Sequence, residues 1–437
     1  MASHPSVLAR ARSRSALAPW LGAAALLLAC SEASEPGSRD VSAAAAKGPP
    51  AQVVLLPPTR GLWVLCEGSA RPLEDPAEIE ALIDHARQLG VSDLFVQVYR
   101  GGRAWFESAR ADAGPFAEIR EATGLDPLAE TIERAHAAGL RVHAWVNVLS
   151  LARNRDAPIL EELGREAVHV DRRGRSLLDY PDLEVPSPER GFYRMGTRGL
   201  YLDPAAQGVR EWLASTFAEL AARYPQLDGV HLDYIRHPLV LPIAPGSRFG
   251  VGLDFGYGAS SRARYQRETG EPDPFRDPDS PATSAIVRAN EWDAWRRQQV
   301  TALVAAIRTS LDAVRPGVEL SAAVIPYADR AYLSIAQDWR RWLEENLVNF
   351  VVPMLYTRDQ RLFGYQADAL GGGRSPERTW AGIGVWLFAT EPEGAVAQVH
   401  AARGAGLPRD ALFSYDALIE APKLFEAVAA TAVPAAR

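Results

Sequence analysis

A (β/α)8 barrel of the TIM type is the fold class this sequence predicts, and three observations predict it. From about residue 58 the chain alternates short apolar runs with longer helical patterns, the signature of parallel βα units. Eight such units fit before about residue 430, with no internal repeat at a fixed period. The stretch from Leu227 to Pro238 then carries an apolar strand core straight into Asp233, Tyr234 and Arg236. Side chains alternate along a strand, so Gly229, His231 and Asp233 share one face and Val230 and Leu232 the other. The C-terminal strand ends are where such barrels keep their chemistry, and a carboxylate there reads as functional. An aspartate capping a turn is the alternative, but it does not call for a histidine two residues earlier on the same face.

The strands are expected at Gly61–Cys66, Ser92–Tyr99, Arg141–Asn147, Leu227–Asp233, Val318–Val324, Asn349–Leu355, Ala381–Trp386 and Ala411–Tyr415. Helical patterns lie between them at Pro76–Leu89, Pro127–Ala138, Val209–Tyr224, Ala285–Val314, Asp338–Glu345 and Gly394–Ala405. Several ends are marked: Asp126-Pro127 opens one helix and Gly139 closes it, and Asp203-Pro204 precedes another. Two connections, residues 148 to 207 after strand three and 234 to 284 after strand four, far exceed the usual length and sit over the C-terminal face.

The N-terminal region reads as export. Arg10, Arg12 and Arg14 precede an apolar run from Ala16 to Ala29, too short for a good membrane span. Leu27-Leu-Ala-Cys30 resembles the bacterial lipobox, in which Cys30 is lipidated and becomes the mature N-terminus. Residues 1–30 are therefore expected to be a lipoprotein signal peptide, 31–57 a flexible tether poor in apolar period, and 58–431 the barrel. Ser31 after the cysteine implies, by resemblance to Gram-negative lipoprotein sorting, an outer-membrane anchor facing the periplasm. Cys66 then has no disulfide partner and reads as a small core residue.

Composition removes several function classes. The net charge of -7 and arginines spread along the chain argue against a nucleic-acid partner. The two lysines, Lys47 and Lys423, leave none inside the barrel for a Schiff-base aldolase. No GxSxG elbow is present, and Gly371-Gly-Gly373 reads as a loop without a ligand. His143, His231 and Asp233 lack an HxH pair or a second carboxylate cluster at ligand spacing, so no metal and no other cofactor is expected.

Strand parity places the remaining polar groups. Trp63, Leu65 and Glu67 share a face on strand one; Phe95, Gln97 and Tyr99 on strand two; His143, Trp145 and Asn147 on strand three; Met354 and Tyr356 on strand six. Opposite faces, such as Leu94, Val96 and Val98, are aliphatic. Aromatic rings beside amides and carboxylates suit a sugar, because rings stack on pyranose C–H faces while amides and acids bond hydroxyls. The expected substrate contacts are Tyr99, His143, Trp145, Asn147, His231, Tyr234, Arg236, Tyr356 and Trp386.

A set of motifs in order carries a resemblance: Arg60-Gly-Leu-Trp63, Asp126-Pro-Leu through Ala135-His136, Val142-His-Ala-Trp-Val-Asn147, Leu202-Asp-Pro204 with Val209-Arg210, and Asp228-Gly-Val-His-Leu-Asp233. Together, from about residue 58 to 415, they resemble the glycosyl-hydrolase-like family 10. The resemblance implies a barrel glycosidase acting on bacterial cell-wall glycan, especially strands stripped of peptides. Two positions depart from the family: Tyr234 follows Asp233 where a second Asp is common, and Met354 stands where Gln is common.

Glycoside hydrolysis usually needs two carboxyl groups, an acid and a nucleophile or base. Asp233 is expected to be the ionised partner, oriented by His231, with Arg236 bonding it or the sugar. The acid is sought among Asp359, Glu67 and Asp416, with Asp359 preferred because the resemblance implies an acid across the barrel mouth. A non-catalytic glycan-binding lipoprotein on a degenerate barrel is the rival reading, and an envelope metal hydrolase a third.

Overall fold

A computed structural model describes residues 59–244 and 253–432. The expected signal peptide, the tether and the lipidation site Cys30 lie outside the described residues. The barrel strands are β1 (Thr59–Val64), β2 (Asp93–Arg100), β3 (Arg141–Asn147), β4 (Gly229–Asp233), β5 (Glu319–Val324), β6 (Phe350–Pro353), β7 (Ala381–Gly384) and β8 (Arg409–Phe413). They pair in parallel in the order β6-β5-β4-β3-β2-β1-β8-β7. Parallel bridges Val351 to Thr379 and Met354 to Gly382 join β6 to β7 and nearly complete the ring. The (β/α)8 expectation therefore holds, with strand ends displaced by at most two residues.

The crossover helices include α1 (Pro76–Gln88), α2 (Pro127–Ala137), α3 (Val209–Arg223), α4 (Ala289–Val314), α5 (Trp339–Glu344), α6 (Gln360–Gly371), α7 (Pro392–Gly404) and α8 (Pro422–Ala429). Aspartates start three of them by accepting otherwise unpaired N–H groups: Asp75 from Ala77, Asp126 from Leu128 and Ala129, and Asp359 from Arg361 and Leu362. The sheet separates two apolar layers. Leu62, Val64, Leu94, Val96, Val142, Val230 and Leu232 pack outward under the helices. Trp63, Phe95, Trp145, Phe350 and Trp380 fill the lumen.

Both long insertions carry regular structure among the described residues. In the first, Ser150–Ala152 pairs with Leu200–Tyr201, and its Tyr193–Met195 forms an antiparallel ribbon with Val240–Pro242 of the second. The second adds a helix, Ala259–Thr269. The connection after β2 carries a further helix, Gly114–Thr123, ended by Gly124 at φ 75, a left-handed turn that glycine adopts at little cost.

Closure between β1 and β8 is locked by one buried ion pair. Arg60 Nε donates to Asp410 Oδ1 at 2.6 Å, and Arg60 also reaches Leu89 O at 3.0 Å and Thr431 Oγ1 at 3.0 Å. Arg403 Nη2 donates to Asp410 Oδ2 at 3.2 Å. Asp410 thus answers two guanidiniums at the seam where residues 350 apart in sequence meet. Asp410→Ala leaves a buried cation unpaired and is expected to destabilise the fold by about 3–5 kcal/mol. Urea denaturation of the variant beside wild type checks this; a midpoint unchanged by the substitution would assign the seam to backbone pairing alone.

Candidate active site

Asp233 ends β4 at the C-terminal mouth and is 8 % exposed. Its Oδ1 accepts the Tyr234 N–H at 2.6 Å and its Oδ2 the Trp145 Nε1–H at 3.2 Å. Tyr234 makes the first of these by adopting φ 51, a left-handed backbone that is uncommon in a tyrosine and turns its N–H back onto the carboxyl. Burial pushes the Asp233 carboxyl above its ordinary range, against the opposing pull of the Tyr234 N–H, Arg236 and Trp145. Burial thus favours the protonated form of Asp233, whereas the ionised form was expected from sequence.

Around it stand three tyrosines and an arginine. Burial, then Asp233 and Tyr234, push the Tyr356 phenol well up, so it remains a hydroxyl donor. Tyr234 is pushed up to about 12 by burial, then by Asp233 and Tyr201. The Arg236 guanidinium lies 5.0 Å from the Tyr234 ring centre and 6.0 Å from that of Tyr201. Phe413 at the end of β8 sits 5.6 Å from Tyr356 and 6.2 Å from Trp145, centre to centre. Trp386, just beyond β7, is 50 % exposed, and a Cβ at Gly384 would lie 3.0 Å from Tyr356 and 3.2 Å from Trp386 Nε1, so Gly384 lies close to both. Asn147 lies in register beside Asp233, its Oδ1 accepting from Gln97 Nε2 at 3.3 Å.

Three expected contacts are buried away from the mouth. His231 accepts the Trp63 Nε1–H at 3.1 Å, bonds Ser321 Oγ at 2.8 Å and stacks on Phe95 with ring centres 4.4 Å apart. Both its nitrogens are thereby engaged, and it does not orient Asp233. Burial, helped by His143, holds it well below its usual pKa, so it is neutral and fills the lumen. His143 bonds Asp93 at 2.9 Å at the barrel floor, where β2 and β3 begin. Tyr99 fails for a local reason: a register shift between Gln97 and Tyr99 breaks the alternation, and Tyr99 packs outward with its ring centre 5.4 Å from Phe217 of α3.

The carboxylates sought as partner acids have other work. Asp359, the preferred one, is exposed and caps α6. Glu67 is exposed and held by Arg100 and by Arg103, the latter at 2.9 Å. Asp416 is buried, but its Oδ1 takes Ala70 N at 2.9 Å and Ser69 Oγ at 3.2 Å, pinning the turn after β1. None of the three hydrogen-bonds Asp233 or is among the charges that shift its carboxyl. Sequence reading missed Phe413, for which strand-eight parity with Ala411 was a usable signal, and Tyr201, which reaches the site only because the first insertion folds back.

The sequence matches the glycosyl hydrolase-like 10 family over residues 58–379. It is 25% identical over 406 residues to the glycosyl hydrolase DigH of Escherichia coli K12, spanning 85% of this chain and 82% of that one. The glycosyl hydrolase YngK of Bacillus subtilis is 24% identical over 303 residues, 65% of this chain and 49% of its own length. Among solved structures, the PgaB (BpsB) glycoside hydrolase domain from Bordetella bronchiseptica superposes with a TM-score of 0.59 at 15% identity, covering 87% of this chain and 100% of that one. The catalytic domain of beta-amylase from Paenibacillus polymyxa gives 0.53 at 12%, with the same coverages. These likenesses show the shared barrel, and the family match supports a glycosidase-type function.

The buried Asp233 has a pH signature. Its folded pKa lies above the unfolded value of about 3.9, so the stability it contributes is full below that pH and is lost as pH rises through the folded pKa. Asp233→Asn removes that loss. The difference in unfolding free energy is expected to move in the variant's favour as pH rises above about 4. A pH-independent difference in urea titrations would show that folding leaves the Asp233 carboxyl unshifted.

Proposed function

We propose that this chain, which belongs to the glycosyl hydrolase-like 10 family, is a glycoside hydrolase of the bacterial cell envelope that cleaves peptidoglycan glycan strands freed of their peptides. The observation that carries the reading is the buried Asp233 carboxyl at the C-terminal mouth, held above its ordinary pKa. It is the general acid: its proton passes to the leaving glycosidic oxygen as the bond to C1 breaks. Trp386 offers an exposed ring for a pyranose face, with Tyr356 and Phe413 beside it. The Tyr356 hydroxyl and the Arg236 guanidinium are donors to sugar oxygens.

An amino-sugar polymer can also bring a nucleophile of its own. Where the protein provides a single carboxyl, the 2-acetamido oxygen of the substrate can attack C1 and form the new C–O bond while the leaving oxygen takes the Asp233 proton. Water then opens the ring intermediate at C1, returning its proton to the Asp233 carboxylate. This scheme differs from the paired-carboxylate one expected from sequence, in which Asp359, Glu67 or Asp416 would be the second group. Both sugars of peptidoglycan bear the group. The lipobox at Cys30 favours a lipid-anchored protein, on the outer membrane and facing the periplasm.

Release of soluble sugar fragments from intact and amidase-stripped peptidoglycan tests the reading. Wild type is expected to prefer stripped strands, Asp233→Asn to lose roughly 10²–10⁴-fold in turnover, and Asp359→Asn, which keeps the helix cap, to retain activity. Chelator is expected to change nothing. Binding without release by either wild type or Asp233→Asn would favour the glycan-binding rival. Separately, Cys30→Ser is expected to move the protein from the membrane fraction to the soluble one; retention on membranes would remove the lipid anchor.

A further inference from the structure

The two insertions enclose a pair of adjoining cavities that the catalytic reading does not use. One, of about 380 Å³, is lined by Arg172, Glu189, Phe192, Tyr193, Leu253 and Thr283. The other, of about 560 Å³, shares Arg172, Tyr193 and Leu253 and extends past Pro238, Tyr257 and Ile286. The ribbon of Tyr193–Met195 and Val240–Pro242 contributes to their walls. Pro238 stands five residues after Asp233, so the second cavity begins within about 17 Å of the catalytic strand end. A polymer threaded over the mouth can reach it.

Charges in these walls are satisfied with one exception. Glu189 is answered by Arg173 at 2.9 Å and Arg175 at 3.1 Å, and Asp254 and Asp293 by Arg296 at 2.6 and 2.5 Å. Arg172, at the junction of both cavities, forms no hydrogen bond or ion pair through its guanidinium with any described residue. It is only part-exposed, and Phe192 beside it leaves 51 % of its surface in water. A planar cation with unused donors next to an open aromatic ring matches a sugar that bears a carboxylate.

We infer that these cavities form a distal glycan subsite in which Arg172 binds the carboxylate of an acidic amino sugar and Phe192 stacks on its ring. This deepens the proposed function and rests on it. In the substrate class proposed above, the muramic acid residue carries such a carboxylate, so the subsite would set the register in which the strand crosses Asp233 and would favour long strands over short fragments.

The test uses the full chain and two probes: peptide-free glycan strands with carboxyls intact, and the same strands with carboxyls converted to neutral methylamides. Affinity is measured in the Asp233→Asn background, so the result does not depend on turnover. Arg172→Gln is expected to weaken binding of intact strands about tenfold, the loss of one charge-assisted contact, and to leave binding of the neutral strands unchanged. Phe192→Ala is expected to weaken both. In the active enzyme Arg172→Gln should raise KM for long strands with kcat and turnover of short fragments unaltered. Equal affinity of Arg172→Gln and its parent for intact strands, or equal losses on both probes, would overturn the subsite. Absence of cleavage by wild type alongside the expected binding pattern would instead reject the hydrolase reading and leave the subsite standing. No binding of either probe would overturn both.

Discussion

Closing a parallel sheet on itself requires the first and last strands to meet, and in this protein that meeting is made by Arg60 and Asp410. Backbone pairing of β1 with β8 aligns Trp63 with Phe413 and Leu62 with Leu412. The ion pair adds what backbone pairing lacks, a fixed register set by a charge that has no water to turn to. Everything at the mouth inherits that register: the turn after β1 is pinned by Asp416 from beyond β8, and Phe413 reaches Tyr356 and Trp145 across it.

Filling the lumen decides where chemistry can occur. Trp63, Phe95, His231 and Phe350 occupy the lower barrel in a chain of ring contacts, and the one polar ring among them, His231, is satisfied by Trp63 and Ser321. Below them, burial works against ionisation of Asp93, yet His143, Ser92 and Arg141 together hold its carboxyl below the usual range. A floor filled by these rings and by the Asp93–His143 pair leaves the upper strand ends for a substrate. Asp233 sits at that boundary, close enough to the apolar fill to be desolvated and far enough up to face the cleft.

Aspartates of one residue type therefore divide by environment. Asp359 meets two helix N–H groups in water and is a cap; Asp410 meets two guanidiniums in the seam and is a lock; Asp233 meets a backbone N–H and an indole N–H under heavy desolvation, and its pKa rises. The insertions repeat the division among arginines. Arg173, Arg175 and Arg296 are consumed in holding the loops together, which leaves Arg172 facing the cavities.

The sequence by itself determined the architecture, because hydrophobic periodicity and helix-start signals such as Asp126-Pro127 are local properties read along the chain. It also determined Asp233, whose place at a strand end follows from alternation over a few residues. Alternation failed at Tyr99, where a single bulge turned the side chain to the helices, a shift that leaves no compositional trace. The roles of the other carboxylates were decided only in three dimensions. Burial and partners depend on the folded neighbourhood, so Glu67 could not be known to belong to Arg100 and Arg103, nor the Asp233 carboxyl to be desolvated, until the barrel closed and each site was set by its neighbours.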